Sequence, residues 1–504
     1  MKRGTAIPAV RAALAGAMLA IALPAIAAPA SRADRELEER MRAHIQVLAS
    51  DEFQGREPGT EGEAKTLRYL GRQWFDIGLV SGTNDPGNPW FAPVTLTARE
   101  PAADSAHFFR RGRPVVIPQD EVLVLTSGKR SLLRQAPLLF VGKGEGHEFT
   151  RNELAGRVAV LLDGEHVEGG GSQGSERQNK LLAQGASAVL TVLDGERTLE
   201  QVSARRERTG YALASDSLGG DLEAFITRDV MALLLKGTGK TLEGLSAAAK
   251  EPDFVPVPLN LSVTLEATTR ETTIRTHNLI GKLPGRRPEA GAVLLLAHWD
   301  HFGVCGSPPA EDLVCNGAID NASGVAALTE LARRLARGPE LDRDVYFLAT
   351  TAEELGLWGA HAFAENPPLP LSQIVAAFNI DSIAVAPRGT PLAIVGRGMT
   401  DLDAQIEQVA RAERMKVVAG DEANEFVKRQ DGWALLQHDI PAVMVTTAYG
   451  QIDRMRGFFD GHYHRPSDDL SQPLELGGAL DDVRMLTALT RWFADIRRVP
   501  ATTK

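Results

Sequence analysis

The chain has 504 residues, of which 43% are hydrophobic and 24% charged, a composition typical of a globular protein with a large core. That length favours about three domains rather than one. Because 55 Lys and Arg stand against 65 Asp and Glu, the acidic balance argues against nucleic acid as a partner.

The N-terminus predicts a secretory signal peptide over residues 1–27. Basic residues accompany an apolar stretch from Ala12 to Ala27, and Ala25-Ile26-Ala27 fits a small-x-small cleavage site. A membrane anchor is the alternative, but the run is shorter than the ~20 apolar residues that a span needs. We therefore expect export to the periplasm or the medium. We expect no stable membrane insertion after cleavage and a mature net charge of −13.

Residues 28–113 are predicted to form the first part of a main domain. Asp34 to Leu79 has a mainly helical pattern, interrupted by the loop Gly55–Thr60. Residues 82–103 are rich in Gly, Pro and Asn and are expected to be irregular.

Residues 114–264 have a different texture and are predicted to form a separate, strand-rich unit. Short apolar runs separated by glycines and charges indicate strands. These runs are Val122–Thr126, Pro137–Val141, Val158–Leu162 and Ala188–Val192.

Residues 265–504 alternate between strand and helix patterns and are predicted to complete the main domain. Continuous apolar runs suit strands that are buried on both faces. They are Ala292–Ala297, Val345–Ala349, Ile374–Phe378, Leu392–Val395 and Ala442–Val445. Helical spacing over 325–335 and 480–496 predicts helices. The alternation predicts an α/β fold with a mostly parallel central sheet and helices on both faces.

The two cysteines, Cys305 and Cys315, lie close together in the sequence. In the oxidising compartment that a signal peptide implies, we expect a disulfide between them. Two free thiols or two thiolate metal ligands are the alternatives, although the C-x9-C spacing does not match the usual zinc pairs.

Polar side chains follow several of the predicted strands, where ligand sites in open sheets of this class lie. His298 comes directly after one strand, so that it can face a metal while Asp300 accepts a hydrogen bond from its other ring nitrogen. A surface histidine is the alternative. Asp320 precedes a predicted helix, which it could cap, or its two oxygens could bridge two cations.

Three further polar segments fit the same edge of the sheet. Of Glu353 and Glu354, one can bind a metal while the other acts as a base, or both can be solvated. Asp381 ends an apolar strand, where an unpaired carboxylate is costly unless a cation, an arginine or a helix cap offsets the cost. His462 and His464 lie in the loop before the last helix, where the alternative is a solvated pair.

Two histidines and three carboxylates thus fall in successive loops of one predicted sheet. Nitrogen and oxygen ligands without thiolate suit catalytic zinc, and a shared carboxylate suits two ions roughly 3.5–4 Å apart. The sequence therefore predicts a site for two zinc ions. The candidate ligands are His298, Asp320, one of Glu353 and Glu354, Asp381, and one of His462 and His464.

The ordered motifs H-W-D-H, D-N-A-S-G, E-E-x-G-x-x-G, N-I-D and Y-H closely resemble those of the co-catalytic zinc aminopeptidase family, which includes aminopeptidase Y and glutamate carboxypeptidase. The resemblance covers most of the chain after residue 27 and implies a zinc exopeptidase fold. Residues 180–192, with Gly185-Ala186 before an apolar strand, are similar to a protease-associated domain. This implies that residues 114–264 are such an insert.

The resemblance also implies which residues would bind each metal ion. His298 and Asp381 would bind one zinc ion, and Glu354 and His464 would bind the other. Asp320 would bridge the two.

Further roles follow from the same resemblance. Glu353 would be the general base, and Asp300 would orient His298. Tyr463 would help to stabilise the oxyanion. His462 is the competing candidate for the last metal ligand.

The activity that the resemblance implies is removal of N-terminal residues from peptides. The alternatives are a carboxypeptidase for acidic C-terminal residues, a single-zinc glutaminyl cyclase, and a receptor-like relative that lost its metals. The complete ligand set argues against the last two. Many relatives carry S-D-H where this chain has Gln430-Asp431-Gly432, so we expect the substrate pocket to differ.

Overall fold

The computed structural model of the protein describes residues 31–144, 147–163, 173–206, 208–216 and 219–500. The predicted signal peptide, residues 1–27, lies outside these ranges. Within them, the helices fall short of the length and apolarity that a membrane crossing requires.

The helices predicted over residues 325–335 and 480–496 are both present, as Gly324–Ala336 and Leu476–Ala494. The α-helices are α1 (Arg32–Leu48), α2 (Glu61–Ile77), α3 (Arg151–Leu154), α4 (Gln173–Ala183), α5 (Leu199–Arg206), α6 (Arg228–Leu235), α7 (Leu242–Ala248), α8 (Gly324–Ala336), α9 (Trp358–Glu365), α10 (Asp403–Ala412), α11 (Asp431–Leu436), α12 (Ile452–Gly461) and α13 (Leu476–Ala494). Two short helical turns, Asp51–Arg56 and Ala318–Ser323, also bear on the site.

The strands coincide with most of the apolar runs in the sequence. They are β1 (Val80–Ser81), β2 (Phe91–Arg110), β3 (Arg113–Val115), β4 (Val122–Thr126), β5 (Arg130–Phe140), β6 (Val158–Leu162), β7 (Ala188–Val192), β8 (Gly210–Leu213), β9 (Leu222–Ile226), β10 (Val257–Leu283), β11 (Ala292–His298), β12 (Gly303–Val304), β13 (Val314–Cys315), β14 (Asp344–Thr350), β15 (Ile374–Asn379), β16 (Ala393–Val395) and β17 (Ala442–Thr446).

The central part of the sheet has the order β16-β17-β15-β11-β14-β10. Its four inner strands, β17, β15, β11 and β14, are parallel, whereas β16 and β10 run antiparallel at the two sides. Every residue of β11 and of β14 is buried, as the continuous apolar runs predicted.

Helices cover both faces of this sheet. Alternate residues of β11 point to opposite sides: Val293 and Leu295 join the core on the side of α8 and α13, whereas Leu294 and Leu296 join the core on the side of α9 and α11. The predicted fold class, a mostly parallel sheet between two helical layers, is therefore confirmed.

The N-terminal helix α1 is attached to α8 by a buried ion network. The carboxylate of Glu330 is fully buried and lies 2.7 Å from Arg40 Nε, 3.3 Å from His44 Nε2 and 2.9 Å from Arg333 Nε. Burial opposes the charge, but the hydrogen bonds from these partners lower the pKa of Glu330 to about 2. The carboxylate therefore stays ionised and connects the two helices.

The expectation that residues 82–103 are irregular was wrong for most of that range. Residues from Phe91 onward belong to β2, which pairs antiparallel with β10 over nearly its whole length. Pro101 is tolerated because it lies beside the β-bulge between Thr268 and Thr269 of β10. Tertiary pairing thus overrides a composition that favours loops.

Residues 114–264 contain the predicted strands and a hydrophobic core of their own. Strands β5, β6, β7 and β9 run parallel, and β4 closes this group antiparallel to β9. The predicted boundary at residue 264 falls inside β10, because that strand continues without a break into the central sheet. The assignment as a protease-associated domain stays a prediction.

Candidate metal centre

The five candidate ligands lie at one edge of the central sheet. His298 is the last residue of β11, Glu354 follows β14, and Asp381 follows β15. Because these strands are parallel, their carboxyl ends share an edge. The turn Ala318–Ser323 brings Asp320 to the same edge, and the loop between α12 and α13 brings His464.

The carboxylate of Asp320 lies between the two histidines. Asp320 Oδ1 is 3.2 Å from His298 Nε2, and Asp320 Oδ2 is 3.5 Å from His464 Nε2. His298 Nε2 is also 3.4 Å from Asp381 Oδ1, and His464 Nε2 is 3.0 Å from Glu354 Oε2. Each histidine therefore has a carboxylate of its own and shares the carboxylate of Asp320.

Some nitrogen and oxygen atoms of the candidate ligands lack hydrogen-bond partners, as expected for atoms that would bind a cation. Asp320 Oδ2 and His464 Nε2 are buried and make no hydrogen bond with the described residues. Glu354 Oε2 nevertheless lies only 3.0 Å from His464 Nε2. Donor atoms within 4.8 Å of one another form two groups around Asp320. One group contains His298 and Asp381, and the other contains His301 and Glu354. Clustered nitrogen and oxygen atoms of this kind suit divalent zinc.

The site opens to solvent on the His464 side. His298 and Asp320 are each 2% exposed, whereas the side chain of His464 is 35% exposed. Burial opposes protonation, but the carboxylates of Asp320 and Glu354 raise the pKa of His464 to about 9.

Glu353 lies within the same cluster. Its carboxylate groups with His298 and Glu354, with donor atoms within 4.8 Å, and the residue is 8% exposed. Burial, together with the negative charges of Glu354 and Asp381, holds the pKa of Glu353 well above its usual range. A buried carboxyl group beside candidate metal ligands is a candidate for general acid–base chemistry.

Asp300 lies beside His298 and also contacts the loop that carries Glu353 and Glu354. Its side-chain Oδ1 atom is 3.8 Å from His298 Nδ1, and its backbone carbonyl oxygen is 3.2 Å from the same nitrogen. The carboxylate accepts hydrogen bonds from the backbone N–H groups of Glu353 and Glu354, at 3.2 and 3.4 Å. Burial raises the pKa of Asp300 to about 7. Asp300 therefore contacts both the His298 imidazole and the backbone of the Glu353-Glu354 loop.

Tyr463 packs against the metal cluster. Its ring stacks on the His464 ring at a centroid distance of 3.6 Å, and the Arg429 guanidinium lies 5.2 Å from its centroid. Burial and the nearby carboxylates hold the pKa of Tyr463 well above its usual range, so its phenol keeps its proton. His462, the competing ligand candidate, turns away, with Nδ1 2.9 Å from the Ser467 carbonyl oxygen.

The turn that carries Asp320 is held by residues that the sequence did not single out. Asp468 is fully buried and accepts hydrogen bonds from the backbone N–H groups of Ile319 and Asp320, at 2.9 and 3.0 Å. The buried Arg56 guanidinium donates to the carbonyl oxygens of Asn316 and Gly317, at 2.6 and 3.0 Å. Long sequence separations hide these contacts from any local pattern.

Cys305 and Cys315 are joined in a disulfide, with their Cα atoms 5.7 Å apart. The pairing confirms the expectation from the sequence and leaves neither sulfur as a thiolate ligand. The bridge closes the loop between the H-W-D-H and D-N-A-S-G motifs, and Cys305 Sγ lies 3.8 Å from the His464 carbonyl oxygen. It therefore borders the loop that carries the most exposed ligand.

Asp431, which matches the family pattern in the divergent Gln430-Asp431-Gly432 segment, is also buried beside the cluster. The Thr350 hydroxyl donates to its Oδ2, while its Oδ1 has no hydrogen-bond partner in the described chain. Burial raises the pKa of Asp431 to about 6.

This chain is similar in sequence to known peptidases. The profile described as Peptidase family M28 matches residues 278–486. Aminopeptidase YwaD of Bacillus subtilis is 33% identical over 124 residues, which span 24% of this chain and 24% of that relative. The chain thus matches about a quarter of the length of this curated relative.

Solved structures give a similar result for the fold. An aminopeptidase from Aneurinibacillus sp. strain AM-1 is similar with a TM-score of 0.52 and 20% identity, covering 90% of this chain and 93% of that chain. BSAP, a zinc aminopeptidase from Bacillus subtilis, has a TM-score of 0.42 and 17% identity, covering 92% of this chain and 97% of that chain. At 20% identity, the likeness to the Aneurinibacillus aminopeptidase describes the fold alone.

Proposed function

On the premise that this chain belongs to peptidase family M28, we propose that it is an aminopeptidase that binds two zinc ions. The observation that carries the proposal is the position of Asp320. One oxygen of its carboxylate faces His298 and the other faces His464, at 3.2 and 3.5 Å. A carboxylate shared in this way suits a pair of metal ions.

The ligand sets follow from the contacts around Asp320. His298 and Asp381 would hold one ion, and Glu354 and His464 would hold the other, with Asp320 between them. Zinc bound there would lower the pKa of a water molecule and polarise the peptide carbonyl.

The remaining chemistry belongs to side chains that do not bind metal. Glu353 would accept the proton of the attacking water and return it to the departing amine. Its position beside His298 and Glu354 supports this assignment. The Tyr463 phenol, which keeps its proton, would donate a hydrogen bond to the carbonyl oxygen as negative charge develops there.

Selectivity for the N-terminus is supported by the name of the curated relative, an aminopeptidase that is 33% identical over the matched residues. Hydrolysis of acidic C-terminal residues is the alternative, since it needs the same metal site. We also propose that the protein is exported. The predicted signal peptide and the Cys305–Cys315 disulfide both suit an oxidising compartment.

Residues 114–264 are proposed to be a protease-associated insert. Strands β2 and β10 connect this segment to the central sheet, so that it extends beyond the body that carries the metal cluster. A role in admitting substrate would be consistent with this attachment.

The test is a panel of substrates assayed with and without a chelator. We expect hydrolysis of aminoacyl p-nitroanilides, no hydrolysis of the same compounds after N-acetylation, complete loss of activity with 1,10-phenanthroline, and recovery with zinc. Preference for dipeptides with an acidic C-terminal residue would favour the carboxypeptidase alternative. Full activity after complete removal of metal would contradict the proposed mechanism.

A further inference from the structure

His301, the last residue of the H-W-D-H motif, contacts a proposed zinc ligand. Its side chain is fully buried, and its Nδ1 atom lies 2.5 Å from Glu354 Oε1. The other oxygen of that carboxylate, Oε2, lies 3.0 Å from His464 Nε2. Glu354 is therefore contacted by a different histidine at each oxygen, one buried and one at the open side of the cluster.

The His301 ring has little freedom to turn away from this contact. A methyl group placed on Gly317 would come within 2.8 Å of the ring, so the backbone before Asp320 lies directly against one face. The neighbouring Phe302 ring meets it edge to face at a centroid distance of 5.2 Å. The second ring nitrogen, Nε2, is buried without a hydrogen-bond partner in the described ranges. The contact with Glu354 therefore offsets part of the cost of burying the polar His301 ring.

Asp300 and His301 hold the acidic loop in complementary ways. The Asp300 carboxylate accepts the backbone N–H groups of Glu353 and Glu354, which fixes the path of the loop. His301 contacts the Glu354 side chain, which fixes where that carboxylate points. Consecutive residues of one turn therefore orient both the backbone and the side chain of the second acidic residue.

We infer that His301 is a positioning residue for the zinc ion that Glu354 and His464 would share. Its Nδ1–H donates to Glu354 Oε1 and so directs Oε2 toward the ion. This inference rests on the proposed function in so far as it takes the cluster to be a zinc site. Partners of this kind change metal affinity about 10–100-fold when they are removed.

The effect should be confined to one of the two ions. His298 and Asp381 lie on the other side of Asp320 and do not depend on Glu354 for their orientation. Loss of the His301 hydrogen bond should therefore weaken binding of the ion that Glu354 and His464 would share, and leave the affinity for the ion beside His298 and Asp381 unchanged.

The experiment is a stepwise zinc titration of the full-length, metal-stripped protein, followed with a competing chromophoric chelator. The matched variants are His301→Asn, which keeps an N–H donor near the Nδ1 position, and His301→Gln, which moves it to the Nε2 position. We expect the wild-type protein and His301→Asn to bind two ions with affinities within about threefold of each other. We expect His301→Gln to bind one of the two ions about 10–100-fold more weakly and the other with unchanged affinity.

His44→Gln is the control for loss of a buried imidazole–carboxylate contact elsewhere, because His44 Nε2 lies 3.3 Å from Glu330 Oε1. It should bind zinc as the wild type does. Equal affinities in both His301 variants would overturn the inference, whether both are weak or both are normal. It would also be overturned if the wild type bound no zinc. A wild type that binds two ions but cleaves no peptide would remove the proposed function and leave the role of His301 intact.

Discussion

Two groups of parallel strands in this protein end in carboxylates, and the two ends differ in what neutralises the charge. In residues 114–264, Asp163 follows β6, and Arg197 Nε lies 2.9 Å from its Oδ2 atom. Beyond β11, β14 and β15, the clustered carboxylates make their ion pairs with histidines, throughout the part of the chain that the structure describes.

This difference separates a structural carboxylate from one prepared for a cation. Burying an uncompensated carboxylate is costly, and an arginine offsets that cost permanently. Imidazoles compensate it in a form that can also bind metal, since a neutral imidazole is a zinc ligand. The buried guanidinium of Arg56, which lies beside the cluster, donates its hydrogen bonds to backbone carbonyl oxygens. The carboxylates therefore remain available.

The largest effect should come from Glu353, because it is the clustered carboxylate that we assign to proton transfer. Glu353→Gln should keep both zinc ions and lose about 10³-fold in kcat, as expected for removal of a general base. Metal analysis of the purified variant and steady-state kinetics on one anilide substrate measure the two quantities. Unchanged kcat would exclude Glu353 as the base.

Replacing a carboxylate that is paired with arginines should lower the stability of the protein rather than its activity. Glu330 has the most such partners among the carboxylates discussed above. Glu330→Gln should lower the free energy of unfolding by about 3 kcal/mol at pH 7, because it leaves a buried network of cations unpaired. Arg32→Ala, which removes an exposed i,i+4 pair, is the control and should cost no more than about 0.5 kcal/mol.

The same network predicts a pH dependence. The pKa of Glu330 is lowered from 4.5 to about 2 in the folded protein. Its stabilising effect is therefore present above pH 4.5 and is lost as the pH falls from about 4.5 toward 2. In urea titrations, the difference between wild type and Glu330→Gln should shrink over that window. A difference that stays constant would contradict the assignment.

Zinc should stabilise the folded protein through Asp320. At a free zinc concentration of 100 times Kd, a single site contributes about 2.7 kcal/mol. Asp320→Asn should lose most of this gain, because the carboxylate serves both ions. Melting curves with zinc and with chelator give the gain for each protein. An equal zinc-dependent shift in Tm for variant and wild type would show that Asp320 is not a ligand.

The smallest effect should come from residues 114–264. Asp163→Asn should lower the free energy of unfolding by about 1 kcal/mol through loss of its contact with Arg197, and leave zinc binding and kcat unchanged. Equilibrium unfolding and zinc titration on the same sample measure both. Loss of zinc from this variant would remove the contrast between the two strand ends.

The sequence predicted those parts of the structure that depend on local pattern. The run Ala292–Ala297 became a fully buried strand, and the polar residues after it came to the predicted edge. Residues 91–110 were missed as a strand because their pairing with β10 is long-range. The packing of His301 against Glu354, and of Asp468 against the Asp320 turn, was also invisible, because each joins segments far apart in the chain.

The most direct test of the central claim is anomalous diffraction at the zinc edge from crystals of the full-length protein grown with zinc. We expect two peaks roughly 3.5–4 Å apart, one beside His298 and Asp381, the other beside Glu354 and His464, with the Asp320 carboxylate between them. A single peak, or peaks bound by other residues, would contradict it.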